Sequence, residues 1–177
     1  MDKAAIPLGD QLLDGAVIVA LGANDKGERE GCEAALVESL QLLERRGVRV
    51  VARSRWWASQ AWPDPNDPPF LNGVALVETA LSPDELMTVL AEVEEEMGRV
   101  RTRRNAPRTL DLDLTAYGRV VCDSERLTLP HPRAADRLFV MGPLAEIAPQ
   151  WVHPVLGQTA EVLAKTTTVG VDAHPIG

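Results

Sequence analysis

Residues 110–114 read Leu-Asp-Leu-Asp-Leu, and this strict alternation leaves the backbone few choices. A period of two belongs to a β-strand, whose successive side chains point to opposite faces. As a strand, the segment turns Leu110, Leu112 and Leu114 toward a core and Asp111 and Asp113 to the other side. A helix would scatter both sets around its surface. The chain is therefore expected to build a sheet with one packed face and one face that carries paired carboxylates.

The rest of the chain supplies partners for that strand. The apolar run AVIVALG (16–22) reads as a buried central strand. Between residues 28 and 46, Leu36, Leu40 and Leu43 recur at helical spacing, with Gly47 as the C-terminal stop. Residues 48–57 are β-rich and 71–80 form the next strand. Segment 82–98 is a well-marked helix: Ser82 caps it, Pro83 takes its first position and Glu85 completes a capping box. A Gly118-Arg119 turn suggests a hairpin from the 110–117 strand to VVCD (120–123). A short helix is expected over Ala134–Met141, ended by Pro143. The last twenty residues carry no strong pattern.

This order, β-α-β-β-α-β, predicts a ferredoxin-like α+β fold: an antiparallel sheet with helices on one face, the other face open to ligand, and an added C-terminal hairpin or helix. At 177 residues the chain is expected to be one domain over 1–177, with 1–14 and 158–177 peripheral.

Composition narrows the function. The net charge of −8 repels polyanions and anionic lipid, so phosphate recognition has to be local. Two cysteines, Cys32 and Cys122, are too few for a disulfide framework, and 1–15 lacks the pattern of a signal peptide, so a cytoplasmic location is expected. The strings of a P-loop and of a dinucleotide-binding loop are both absent. Only Lys3, Lys26 and Lys165 are lysines, so phosphate binding falls to arginine.

Arginine is concentrated in one place. Arg99, Arg101, Arg103, Arg104 and Arg108 directly precede the Asp111/Asp113 strand. Alone, the arginine run reads equally as a solvated turn, and the aspartates as the wet side of a strand. Together they suit phosphoryl transfer. Carboxylates roughly 6.6–7 Å apart along a strand can hold Mg²⁺, and arginines offer bidentate donors to phosphate. Phe70 and Phe139, the only phenylalanines, lie outside the apolar stripes; core packing and stacking on a planar ligand are both open to them.

The strings GRVR…RNAPRTLDLDL, ERLTLPHP and RLFVMGPL, with VALGAN (19–24) and PPFLN (68–72), resemble the 6-hydroxymethyl-7,8-dihydropterin pyrophosphokinase family of folate biosynthesis. The resemblance implies transfer of pyrophosphate from ATP to the pterin with release of AMP. It implies that Asp111 and Asp113 bind two Mg²⁺ and act in catalysis with Arg99 and Arg108. Glu94, Arg101, Leu114, Arg126, Thr128, His131 and Arg137 correspond to the nucleotide site. Ser59, Trp62, Phe70, Asn72 and Phe139 correspond to the pterin pocket. Loops 59–69 and 98–108 are expected to act as lids. The chain has Asn105-Ala106 where many members carry Trp-Gly.

The expected partners are the two small molecules alone, with a monomeric chain and neither nucleic acid nor membrane involved. The alternative is a non-catalytic ferredoxin-like module that binds nucleic acid through the arginine loop. It calls for a basic domain with exposed aromatics. The chain has 4% aromatic residues and an acidic balance.

Overall fold

The computed structural model describes residues 13–24, 29–60, 69–100 and 109–176, without the side chains of 29–30, 99–100 and 109. Strand β1 (Val17–Asn24) leads into helix α1 (Arg29–Arg45). Then come β2 (Val48–Arg53), β3 (Trp56–Ser59) and β4 (Phe70–Thr79). Helix α2 (Pro83–Val100) precedes β5 (Thr109–Tyr117). The reciprocal cap read from the sequence is present: Glu85 N donates to Ser82 Oγ (3.2 Å) and Ser82 N to Glu85 Oε1 (3.1 Å).

The main sheet is six-stranded and antiparallel. It runs β5-β1-β4, and both β2 and β3 pair with the far edge of β4. The β-rich segment 48–57 is two strands because Ser54 interrupts it. Its hydroxyl accepts from Val74 N (3.0 Å) and donates to Arg55 O (2.7 Å), taking over a position of the ladder. The protein is thus an α+β fold, in the element order expected.

The hairpin after β5 differs from expectation. β6 (Cys122–Asp123) pairs with β7 (Thr128–Leu129), not with β5. The outer edge of β5 is already occupied: Leu112 N donates to Glu94 Oε1 (2.7 Å) and Thr115 O accepts from His131 N (2.8 Å). Val120 and Val121 are left on the surface.

The helix expected over 134–141 is also shifted. A single 3₁₀ turn (Ala134–Asp136) precedes α3 (Leu138–Ile147), which carries Pro143 inside it. Proline deletes one main-chain bond. Met141, Leu144 and Ile147, all buried against the sheet, hold the helix together through that gap. Each buried side chain of this size contributes on the order of 1.5–3 kcal/mol.

Helix α3 overturns the expectation that helices cover one face only. Helices α1 and α2 pack against Val19, Leu21, Leu112 and Leu114 on one side. On the other side α3 and α4 (Ala160–Thr166) cover Ile18, Val74, Leu76 and Ala116. Trp57 Nε1 donates to the Glu146 carboxylate, which also pairs with Arg55 Nε (3.2 Å), tying α3 to β3. Segment 158–177, expected at the periphery, supplies fully buried Ala160 and Leu163 to this second core. It also adds β8 (His174–Ile176) to the sheet beside β3. Among the described residues, the end of the second face nearest Asp111 forms a cavity.

His153 lies in this second core, 6% exposed and edge-on to Trp151 with centroids 5.7 Å apart. Its Nδ1 accepts from Val155 N (3.1 Å) and Leu156 N (3.0 Å). Burial, aided by nearby Arg119, holds the imidazole below the usual histidine value. A depressed value means the unfolded chain takes up the proton first, so the stability contributed by neutral His153 is present above about pH 6.5 and lost as pH falls through the folded value. Denaturant titrations from pH 8 to pH 5 should show this acid-side slope. His153→Ala should cost about 1–3 kcal/mol at pH 8 and flatten it.

Candidate functional site

The open end of the second face is built from three strands in register. Asp111 of β5 lies opposite Gly22 of β1, which lies opposite Asn72 of β4. One step along, Asp113 faces Ala20, and Ala20 faces Val74. Small residues on the central strand leave a trough between the carboxylates on one side and the amide on the other. Gly22 keeps the trough open, since a Cβ there would sit 3.2 Å from Asn72 Oδ1 and crowd the amide.

The trough opens into a cavity of about 230 Å³. Beyond Asn72, its wall is Ser59, Gln60 and Phe70, with Ser59 opposite Phe70 in the ladder. Asn72 Nδ2 donates to Ser59 Oγ (2.9 Å), which fixes the amide with its oxygen toward Gly22. The start of α3 closes the cavity with Arg137, Phe139 and Val140. The Arg137 guanidinium lies 5.6 Å from the centre of the Phe139 ring, a cation–π contact. One cavity therefore holds paired carboxylates, an aromatic face, an anchored amide and a cation.

The charges around β5 are strained against one another. Loss of solvent on the cavity side pushes the Asp111 carboxyl above the ordinary aspartate range, and Asp113 pushes it further. Burial raises Glu94 as well; its bond from Leu112 N opposes this, while Asp111 and Asp113 add to it. His131 is held below the usual histidine value by burial, with Asp113 opposing and Arg137 and Arg133 reinforcing. Its Nδ1 accepts from Arg133 N (3.2 Å), so the neutral ring carries its proton on Nε2. An excess of negative charge is thus concentrated where a cation would relieve it. The donors are carboxylate oxygens, which suit a hard divalent cation that keeps water or phosphate ligands. Among the described residues no three His, Cys, Asp or Glu side chains converge on one point, so these residues offer such an ion a partial ligand set.

Ser59, Phe70, Asn72, Asp111, Asp113, Arg137 and Phe139 all line the one cavity. Glu94 and His131 lie at the outer edge of β5, beside the carboxylates. Arg126 donates to Thr88 Oγ1 (3.0 Å) and Thr128 to Asp123 Oδ1 (3.1 Å), both at the surface near that edge. The Leu114 side chain is in the core, 3% exposed, so only its main chain can meet a ligand. Trp62, Arg101 and Arg108 lie outside the described residues, as does the Arg99 side chain and most of both expected lids. Gly22, within the VALGAN string, and Gln60 have no site role assigned from the sequence. Gly22 is recognisable only once the register sets it between Asp111 and Asn72.

The sequence profile of the 7,8-dihydro-6-hydroxymethylpterin-pyrophosphokinase (HPPK) family matches residues 18–149. The chain belongs to the HPPK family. Among HPPK relatives, the 2-amino-4-hydroxy-6-hydroxymethyldihydropteridine pyrophosphokinase of Synechocystis sp. is 42% identical over 142 residues, 80% of this chain and 71% of that one. The protein of that name from Methylorubrum extorquens is 40% identical over 155 residues, 87% of this chain and 95% of its own. A solved HPPK-DHPS chain in complex with substrates superposes with a TM-score of 0.68 at 11% identity, a likeness of fold. It spans 85% of this chain, which in turn spans 42% of that longer one.

The raised Asp111 value carries a stability consequence. An acid raised on folding destabilises the fold once ionised, and the penalty disappears below the ordinary aspartate range, where both states are protonated. Asp111→Asn should therefore raise the melting temperature of the ligand-free protein at pH 7. The difference from the parent should shrink as pH is lowered toward 3.8. A lower melting temperature at pH 7 would show that Asp111 stabilises the fold.

Proposed function

We propose that this chain transfers the β,γ-pyrophosphoryl unit of ATP to the hydroxymethyl oxygen of 6-hydroxymethyl-7,8-dihydropterin and releases AMP, the HPPK reaction of folate biosynthesis. The observation that carries this reading is the convergence of a stacking face, an anchored amide and a same-face carboxylate pair on one cavity. A flat heterocycle needs the first two and a polyphosphate the third.

The pterin ring stacks on Phe139, with Phe70 bounding the other side. Asn72, held by Ser59, pairs with the ring edge and fixes which end of the ring faces Asp111. The family resemblance assigns Trp62 to the pterin as well. The triphosphate lies over Asp111 and Asp113. These two residues would hold two Mg²⁺, which would neutralise phosphate charge and polarise the β-phosphorus.

Arg99, Arg101 and Arg108 supply donors to the moving pyrophosphate, and Arg137 lies between the two substrates. Glu94, the Leu114 main chain, Arg126, Thr128 and His131 flank the outer edge of β5 and contact the nucleotide. Neutral His131 donates from Nε2. Attack of the hydroxymethyl oxygen forms the O–Pβ bond, the bond from Pβ to the α–β bridging oxygen breaks, and the hydroxyl proton leaves to solvent. The work of the chain is positioning and charge stabilisation.

The same reading makes the chain a cytoplasmic monomer acting on small molecules alone, without nucleic acid or membrane as partner. Its net charge of −8 supports this. Among the described residues no helix is long and apolar enough to cross a membrane. The nucleic-acid alternative has no observation in its favour.

Incubation with ATP, Mg²⁺ and the reduced pterin should give AMP in proportion to pterin consumed, and none without the metal. Stoichiometric ADP would overturn pyrophosphoryl transfer. Asp111→Asn and Asp113→Asn should each lower turnover by about a hundredfold or more while the protein stays folded. Phe139→Ala should raise the KM for pterin about tenfold with the KM for ATP little changed. Equal loss for both substrates would return Phe139 to a packing role.

A further inference from the structure

Residues 167–176 follow a path that packing alone does not require. They leave α4, cross the start of α3, touch the cavity wall and end as β8. Val169 and Val171 are 46% and 66% exposed, so the segment buries little apolar surface before Ala173. Its attachments are polar or main-chain, and three of them fall on or beside residues lining the cavity.

The first attachment is at the start of α3. Asp136 accepts from Thr168 N (2.9 Å) and Thr168 Oγ1 (2.6 Å), and Leu138 N donates to Val169 O (3.0 Å). The second is at Phe139. Gly170 has φ +67°, and a Cβ built there would lie 2.5 Å from Phe139 Cδ1 and 2.9 Å from Cε1. The bare main chain is therefore seated against the ring. The third is at Gln60, whose N–H donates to Asp172 Oδ2 (2.6 Å). Beyond it, Ala58 pairs with His174 and Trp57 with Pro175. The residues on which the family is recognised end at 149, so the whole segment lies past them.

We infer that this C-terminal segment is a strap that positions the pterin side of the cavity, with Asp172 and Gly170 as its positioning residues. Asp172 holds the Gln60 wall where β3 ends, and Gly170 sets the plane of Phe139. Neither touches substrate. The inference rests on the pyrophosphokinase reading above, with the carboxylate side of the cavity left outside the reach of the strap.

Three variants of the full chain test it: Asp172→Ala, Asp172→Asn and Gly170→Ala. Asp172→Ala removes the acceptor and should raise the KM for the dihydropterin about fivefold to tenfold, the scale of one charge-assisted hydrogen bond. The KM for ATP and the melting temperature should stay close to the parent values. Asp172→Asn keeps an acceptor oxygen and should restore most of the pterin KM. Gly170→Ala should shift the pterin KM in the same direction. An unmoved pterin KM in Asp172→Ala overturns the strap, as does a parallel loss for both substrates or no recovery with Asn. A parent chain that forms no pterin-dependent AMP would instead refute the reading beneath it, and the inference would fall with it.

Discussion

Strand β1 is hydrogen-bonded along both edges, to β4 on one side and β5 on the other, and the site depends on that double pairing. It sets the Asp111 carboxylate and the Asn72 amide level with each other across a single glycine. A slip of one residue in the β5 ladder would send the aspartates toward the core and a leucine into the cavity, and one in the β4 ladder would turn Asn72 toward the core. The apolar residues of β1 guard against this. Val17, Val19, Leu21 and Ala23 alternate into the core under α1 and α2, and any slip would expose them. The geometry of the site is therefore held by the packing on the opposite face of the sheet.

The two faces divide the labour unevenly. One is fully covered. Among the described residues, the other is covered by α3 and α4 and gives way to the cavity beside Ala20, so the boundary between core and cavity runs through the middle of three strands. Residues at that boundary work under conflicting demands. Asp111 and Glu94 are partly desolvated beside a like charge, a condition that lowers stability and readies the site for a cation. Phe139 packs partly against the second core and meets a cation and a glycine, with part of its surface left toward the cavity.

Much of this was legible in the residues themselves. The Leu-Asp alternation specifies both faces of β5 by itself, and the Ser82/Glu85 cap marks the start of α2 to the residue, because both signals are local. Non-local competition hid the rest. VVCD has strand propensity, yet the edge it was expected to join is taken by Glu94 and the His131 segment. Pro143 is a helix breaker on local grounds, but the buried side chains around it decide otherwise. His174–Ile176 has no periodicity to read and becomes a strand because β3 offers it an edge. Leu114 shows the converse: a position matched to the nucleotide site has its side chain in the core, where the alternation had already placed it.

The treatment of the sheet edges bears on how copies of this chain behave toward one another. On β5, the Leu112 amide and the Thr115 carbonyl are taken up within the chain, by a carboxylate and by a main-chain N–H. At the opposite edge β8 is three residues long with Pro175 at its centre, which has no N–H to donate. A strand arriving from another molecule would find an interrupted ladder at β5 and at β8. The devices that place the carboxylates and brace the cavity wall therefore also guard these two edges against edge-to-edge growth, and substitutions at Glu94 or Pro175 should be judged for their effect on aggregation as well as on turnover.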